Sequence, residues 1–177
     1  MDLRSVLLEI HAAFEAAGVE HALIGGLALA AHGAARATAD LDLLVPGTAA
    51  DRIEDMLLER GYARLHRSEF AANYAGSSPA RGRIDLLFAR RERGLGILRR
   101  ATGHDVAGRR VRVVDASDLV GLKVQAYAND PRRRHADLAD IERLIRTGNV
   151  DLARAREYFQ LFDREKDLDD LLAEGNP

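Results

Sequence analysis

At 177 residues, 47% apolar and 31% charged, the chain has the make-up of one globular domain with enough residues for a real core. A formal net charge of −2 gives no general nucleic-acid footprint, and the absence of cysteine excludes disulfides and thiolate metal sites and fits a reducing cytosol. No apolar run is long enough to cross a membrane, and the opening MDLRSVLLEIHAAF lacks a signal-peptide core.

Residues 2–17 set Leu3, Val6, Leu7, Ile10, Phe14 and Ala17 at helical spacing, with Gly18 as the stop. Ala22-Leu23-Ile24 reads as a short strand, followed by the pair Gly25-Gly26 and a short helix over 27–32 that ends at Gly33. The next strand carries Asp40-Leu-Asp42-Leu-Leu-Val45 and breaks at Pro46-Gly47. Thr48 is expected to cap a helix over 49–60 that stops at Gly61. Two short strands follow, about 62–66 and 70–75, then a loop Gly76-Ser77-Ser78-Pro79 and a strand Arg83–Phe88 holding Asp85.

A short helix over 90–101 comes next, then one or two short strands within His104–Val114. Asp115-Ala-Ser-Asp118 is a capping signal for a helix over about 117–128. Further helices are expected over about 132–147 and from Asp151, and the acidic tail 163–177 is expected to fray or add a last turn. Strands therefore crowd the first two thirds and helices the last third. This is an α+β pattern: a core over about 1–115 and a helical cap over about 116–177 within a single domain, with no internal repeat.

The chemistry concentrates in His21–Val45. Strand residues two apart share a face, so Asp40 and Asp42 present paired carboxylates while Leu41 and Leu43 face a core. Side-by-side carboxylates repel, and a hard divalent cation such as Mg²⁺, which takes oxygen ligands, is the commonest reason to keep them together. A strand–glycine–helix junction at Gly25-Gly26 leaves backbone N–H groups open to a phosphate. Asp85 lies among apolar neighbours, where aspartate is unfavoured; it serves the same cation or pairs with a nearby arginine. Arg36 either pairs with Asp40 or Asp42 or contacts a triphosphate, and Thr38 either joins it or is only a β-former. Lys123 stands out in a chain with 24 Arg and two Lys, on an otherwise apolar helix face. Its alternatives are a phosphate contact and a snorkelling surface lysine. Asp137 and Asp140 either orient it or pair with Arg132–Arg134. The six histidines are scattered without an H-x-x-x-H pair, which argues against a zinc site.

The string GGLALAAHGAARATADLDLLV resembles the nucleotidyltransferase superfamily with the DNA polymerase beta-like fold. Within it, Arg36-x-Thr38-x-Asp40-x-Asp42 is similar to a small bacterial branch that includes the AbiEii-like toxin nucleotidyltransferases. Many members have Ser after the first glycine, where this chain has Gly26. The resemblance implies Mg²⁺-dependent transfer of an NMP from an NTP to an acceptor hydroxyl on RNA, a protein or a small molecule. It implies a third carboxylate at Asp85 and a phosphate-contacting lysine at Lys123, with Gly25, Gly26, Arg36 and Thr38 around the nucleotide. It also implies, for the toxin branch, an antitoxin-like partner. The competing expectation is a non-catalytic nucleotide- or partner-binding domain on the same fold, whose simplest signature would be a missing carboxylate; none is missing.

Overall fold

The computed structural model describes residues 3–78 and 80–174. The expected helix start at Asp2, Pro79 of the expected loop and the last three residues of the expected tail lie outside the described residues. The chain divides into two compact units, Met1–Ala31 with Arg36–Val114, and His32–Ala35 with Asp115–Pro177.

The first unit is a seven-stranded mixed sheet with four helices: α1 (Leu3–Ala16), β1 (Ala22–Leu23), α2 (Gly25–Ala31), β2 (Asp40–Pro46), α3 (Ala50–Glu59), β3 (Tyr62–Arg67), β4 (Ala71–Gly76), β5 (Arg83–Ala89), α4 (Glu92–Arg100), β6 (Thr102–Val106) and β7 (Arg109–Val113). The strand order is β3-β4-β5-β2-β1-β7-β6. Pairing is parallel between β2 and β5 and between β1 and β7, and antiparallel elsewhere. The α+β architecture read from the sequence is therefore the one observed.

The core follows from alternation. Leu41, Leu43, Ile84, Leu86 and Phe88 are buried, and so are Leu7, Ile10 and Phe14, the apolar stripe of α1. At about 25 cal/mol per Å² of apolar surface, each such side chain contributes roughly 1.5–3 kcal/mol of transfer free energy. Strand β2 sits between β5 and β1, paired with β5 over residues 40–46 and with β1 at Leu43 and Leu44, which fixes its register.

The second unit is helical: α5 (Ala116–Asn129), α6 (Arg134–Arg146), α7 (Leu152–Leu161) and α8 (Glu165–Glu174). Asp115 caps α5 by accepting from the Ser117 N–H, and Asp151 caps α7 by accepting from Ala153 and Arg154. Tyr158 of α7 donates its buried hydroxyl to Asp118 of α5 at 2.7 Å.

Four local expectations need correction. Gly25 and Gly26 do not precede the short helix but open it. Ile24 lies outside β1, although its N–H still bonds the Asp42 carbonyl at 3.1 Å. Thr48 is not a cap: Gly47–Ala49 form a 3₁₀ turn, and α3 starts behind Ala49 without a side-chain cap. The acidic tail adds a ten-residue helix, α8, because Leu168 finds a fully buried seat.

Candidate active site

Parallel pairing of β2 with β5 sets Asp40 opposite Arg83 and Asp42 opposite Asp85. Antiparallel pairing of β5 with β4 sets Asp85 opposite Asn73. Residues in register share a face, so Asn73, Asp85 and Asp42 form one polar row across three strands, with Arg83 and Asp40 one pleat further along. Leu41, between Asp40 and Asp42, and its register partner Ile84, between Arg83 and Asp85, point to the other face and are fully buried.

The row is partly solvated: the Asp40 side chain is 39% exposed and that of Asp85 27%. Asn73 Nδ2 donates to Asp85 Oδ1 at 2.8 Å. The Arg83 guanidinium lies 4.0 Å from Asp40 and 3.7 Å from Asp85, so the two acids share one distant cation. At such separations near the surface an ion pair offsets little of the repulsion within a carboxylate cluster.

Gly25 closes the row on the β1 side. Its φ is +62°, a left-handed conformation, and a Cβ placed there would lie 2.0 Å from Asp42 Oδ2. Glycine is therefore the residue that lets α2 begin against the Asp42 carboxylate. At Gly26 a Cβ would lie 2.5 Å from the Thr38 Cβ and 2.7 Å from its Oγ1. Thr38 thus fills the space where the resembled family places a serine, and its hydroxyl contacts the Asp40 carbonyl at 3.4 Å. Arg36 is exposed and donates to the neighbouring Ala37 carbonyl at 2.9 Å.

The structure brings Gly25, Gly26, Thr38, Asp40, Asp42 and Asp85 together. Lys123 belongs to the second unit, on α5. Its ammonium lies 3.1 Å from Asp137 and 2.6 Å from Asp140 on α6, and all three side chains are buried. Arg133 and Arg143 join the same aspartates. Two residues of the polar row carry little signal in the sequence. Asn73 sits in an unexceptional AANYAG segment, and the Arg83-x-Asp85 alternation is the one clue that Arg83 faces the acids.

The row has the chemistry of a hard-cation site: carboxylate and amide oxygens on rigid strands, with no imidazole or thiolate among them. Asp40, Asp42 and Asp85 supply the carboxylate oxygens of the row, and the absence of a Cβ at Gly25 is what lets the Asp42 carboxylate lie against the start of α2.

A mixed sheet with a short glycine-led helix against an Asp-x-Asp strand is the core of a nucleotidyltransferase. The family described as uncharacterised nucleotidyltransferase matches residues 2–160, and the chain belongs to it: an enzyme family that transfers a nucleotide from an NTP. No curated protein matches the sequence. Among solved structures, the chain is similar to ANT(2″)-Ia in complex with adenylyl-2″-tobramycin, at a TM-score of 0.72 and 16% identity over 92% of this chain and 98% of that one. It is similar to the lincosamide antibiotic adenylyltransferase LnuA, lincomycin-bound, at 0.59 and 14% over 79% and 94%. It is also similar to an antigenic nucleotidyltransferase-like protein from Paracoccidioides brasiliensis, at 0.59 and 17% over 97% and 92%. At these identities the likeness is one of fold.

Proposed function

We propose that the chain is a Mg²⁺-dependent nucleotidyltransferase acting on a small hydroxyl-bearing acceptor. The observation that carries the reading is the in-register row Asp42–Asp85 with Asp40 beside it. Three carboxylates at the centre of a sheet cost folding free energy that a bound ion would return.

Asp40, Asp42 and Asp85 would hold Mg²⁺, which when bound supplies charge neutralisation to the triphosphate. The Gly25-Gly26 backbone, with Arg36 and Thr38, orients the nucleotide. The acceptor oxygen attacks the α-phosphorus, the new O–P bond forms, and the bond to pyrophosphate breaks. Asp85 takes the hydroxyl proton. Asn73 Nδ2 donates to its Oδ1 at 2.8 Å and orients the carboxylate, which leaves Oδ2 as the better-placed acceptor of that proton.

A small acceptor is favoured because two neighbours of nearly the same extent carry antibiotics in their names, tobramycin and lincomycin. The toxin-type branch, with an RNA or protein acceptor and an antitoxin-like partner, rests on the resemblance of the Arg36–Asp42 string and of the segment around Lys123. For Lys123 the phosphate role implied by the resemblance stays a proposal. Its ammonium is already held by Asp137 and Asp140, so its variants are read for folding first and turnover second.

The test is isothermal titration of each NTP with Mg²⁺ on the wild type and on Asp40→Ala/Asp42→Ala. Metal-dependent binding that vanishes in a folded double variant supports the reading and names the base. Equal binding by both proteins overturns it. Label from an α-labelled NTP then appears on an aminoglycoside- or lincosamide-like acceptor. Label on RNA or protein would instead favour the toxin-type branch.

A further inference from the structure

Outside the polar row, one group of side chains has the composition of a transition-metal site. His11 and Glu15 lie one turn apart on α1, and His21 stands just before β1. One ligand atom from each lies within 4.8 Å of the others. The spacing H-x₃-E-x₅-H hid this in the sequence, because the turn at Gly18 folds His21 back onto the helix.

The geometry of the imidazoles is specific. His21 is 3% exposed, and its Nδ1 lies 2.8 Å from the Val19 carbonyl. A carbonyl only accepts, so Nδ1 carries the hydrogen and Nε2 presents its lone pair. A backbone carbonyl on the far nitrogen is the usual orienting partner of a metal-bound histidine. Nε2 faces His11 Nδ1 at 2.8 Å, the rings inclined at 62°. Phe14 packs edge-on against His21 at 5.3 Å and fixes the ring from the core side.

We infer that His11, Glu15 and His21 form a binding site for Zn²⁺ or a similar borderline divalent ion, separate from the carboxylate row. Two imidazoles and one carboxylate are a common three-ligand zinc set, with water as the fourth ligand. Zn–N bonds of about 2.0–2.1 Å hold two nitrogens roughly 3.3 Å apart in a tetrahedron. Opening the present His–His contact by about half an ångström reaches that value, within a small rotation of the less buried His11 ring. Glu15 is exposed and closes the site from the solvent side. Nearby Arg112 is neutralised by Glu20 at 2.6 Å, so it adds little repulsion. Nitrogen ligands here and hard oxygens on the sheet sort the two ions by chemistry. The ion clips α1 to the residues entering β1, the strand that leads to Gly25.

The test is titration of the full chain with Co²⁺ and then Zn²⁺, followed by absorption and thermal melting. Asp40→Asn/Asp42→Asn serves as the background that removes the other candidate metal site. The expected result is one tetrahedral Co²⁺ absorption band per chain, displaced by Zn²⁺, with a Zn²⁺-dependent rise in Tm. In His11→Gln the band disappears. In Glu15→Gln affinity falls by at least the roughly 10–100-fold that loss of a supporting residue costs. Both variants sit on the outer face of α1, and their metal-free melting shows that they fold. Absence of the band at saturating Co²⁺, or a band unchanged in His11→Gln, overturns the proposal and leaves a hydrogen-bonded histidine pair that pins the turn.

Discussion

The two units treat buried and half-buried charge in opposite ways. On the sheet of the first, Asp40, Asp42 and Asp85 stand on rigid strands with partial solvent access, and Asp40 and Asp85 share a guanidinium 3.7–4.0 Å away. In the second, Asp137 and Asp140 are equally acidic in type but only 3% exposed, and Lys123 sits between them at 3.1 and 2.6 Å. One set stands half-solvated, with Asp40 39% and Asp85 27% exposed and Arg83 3.7–4.0 Å from both. The other brings its own cation, because a charge taken out of water without a partner costs several kcal/mol. Identical residue types thus form a half-solvated row in one unit, which we propose holds a ligand, and a buried ion-paired cluster in the other. Access and partner distance make the difference.

The sharpest break of this contrast is at the row. Asp40→Asn/Asp42→Asn is expected to abolish nucleotide transfer, and Asp85→Asn to lower turnover by roughly 10²–10⁴-fold. All three acids are replaced without loss of thermal stability, since neutralising them relieves repulsion. A large fall in Tm on calorimetry would show that the row is structural after all. Lys123→Met is expected to do the reverse, costing up to about 3–5 kcal/mol by removing the buried cation between Asp137 and Asp140 and leaving them the more exposed Arg133 and Arg143. Calorimetry should show a drop in Tm of roughly 6–20 °C. Adding Asp137→Asn and Asp140→Asn should return part of it.

Gly25→Ala is intermediate. The left-handed φ of +62° costs an alanine about 1–3 kcal/mol, and the new Cβ must displace the Asp42 carboxylate. Both stability and Mg²⁺-dependent NTP binding are expected to fall, measured by melting and titration. Asn73→Ala is smaller still: turnover falls by about 10–100-fold, as for an orienting partner, with Tm nearly unchanged.

The mildest effect is at alkaline pH and touches both units. Burial, reinforced by Glu54, pushes the Tyr74 phenol up to about 12, and burial beside Asp167 raises Tyr127 further. In the unfolded chain both phenols lose their protons near 10, so above that pH the folded state binds more protons than the unfolded one. Stability is therefore flat up to about pH 10 and falls beyond it. Urea melts at pH 8 and 11 check this, with Tyr74→Phe and Tyr127→Phe each expected to flatten the fall.

Much of this molecule is legible in the residue string. The period-2 alternation of Asp40–Val45 and Arg83–Phe88, the apolar stripe of α1 and the caps at Asp115 and Asp151 are local signals. Local sterics and hydrogen bonds realise them wherever the chain goes. The paired acids Asp40 and Asp42 share a face by strand geometry alone. What the string does not carry is register between distant segments. Asp85 stands opposite Asp42, and Asn73 opposite Asp85, only because β2, β5 and β4 pair as they do, and sequence spacing does not encode that pairing.

The same holds for Gly26, whose missing side chain is explained by Thr38, twelve residues on, filling the space. It holds for α8, which exists because Leu168 is buried. It holds for His21, which meets His11 through a turn and not through helical spacing. The sequence by itself determined the elements and the acidic motif, because propensity, capping and face alternation act within a few residues. Only the tertiary structure decided which charges are shared, buried or left open, because burial and Coulomb energy depend on distances that the folded chain alone sets.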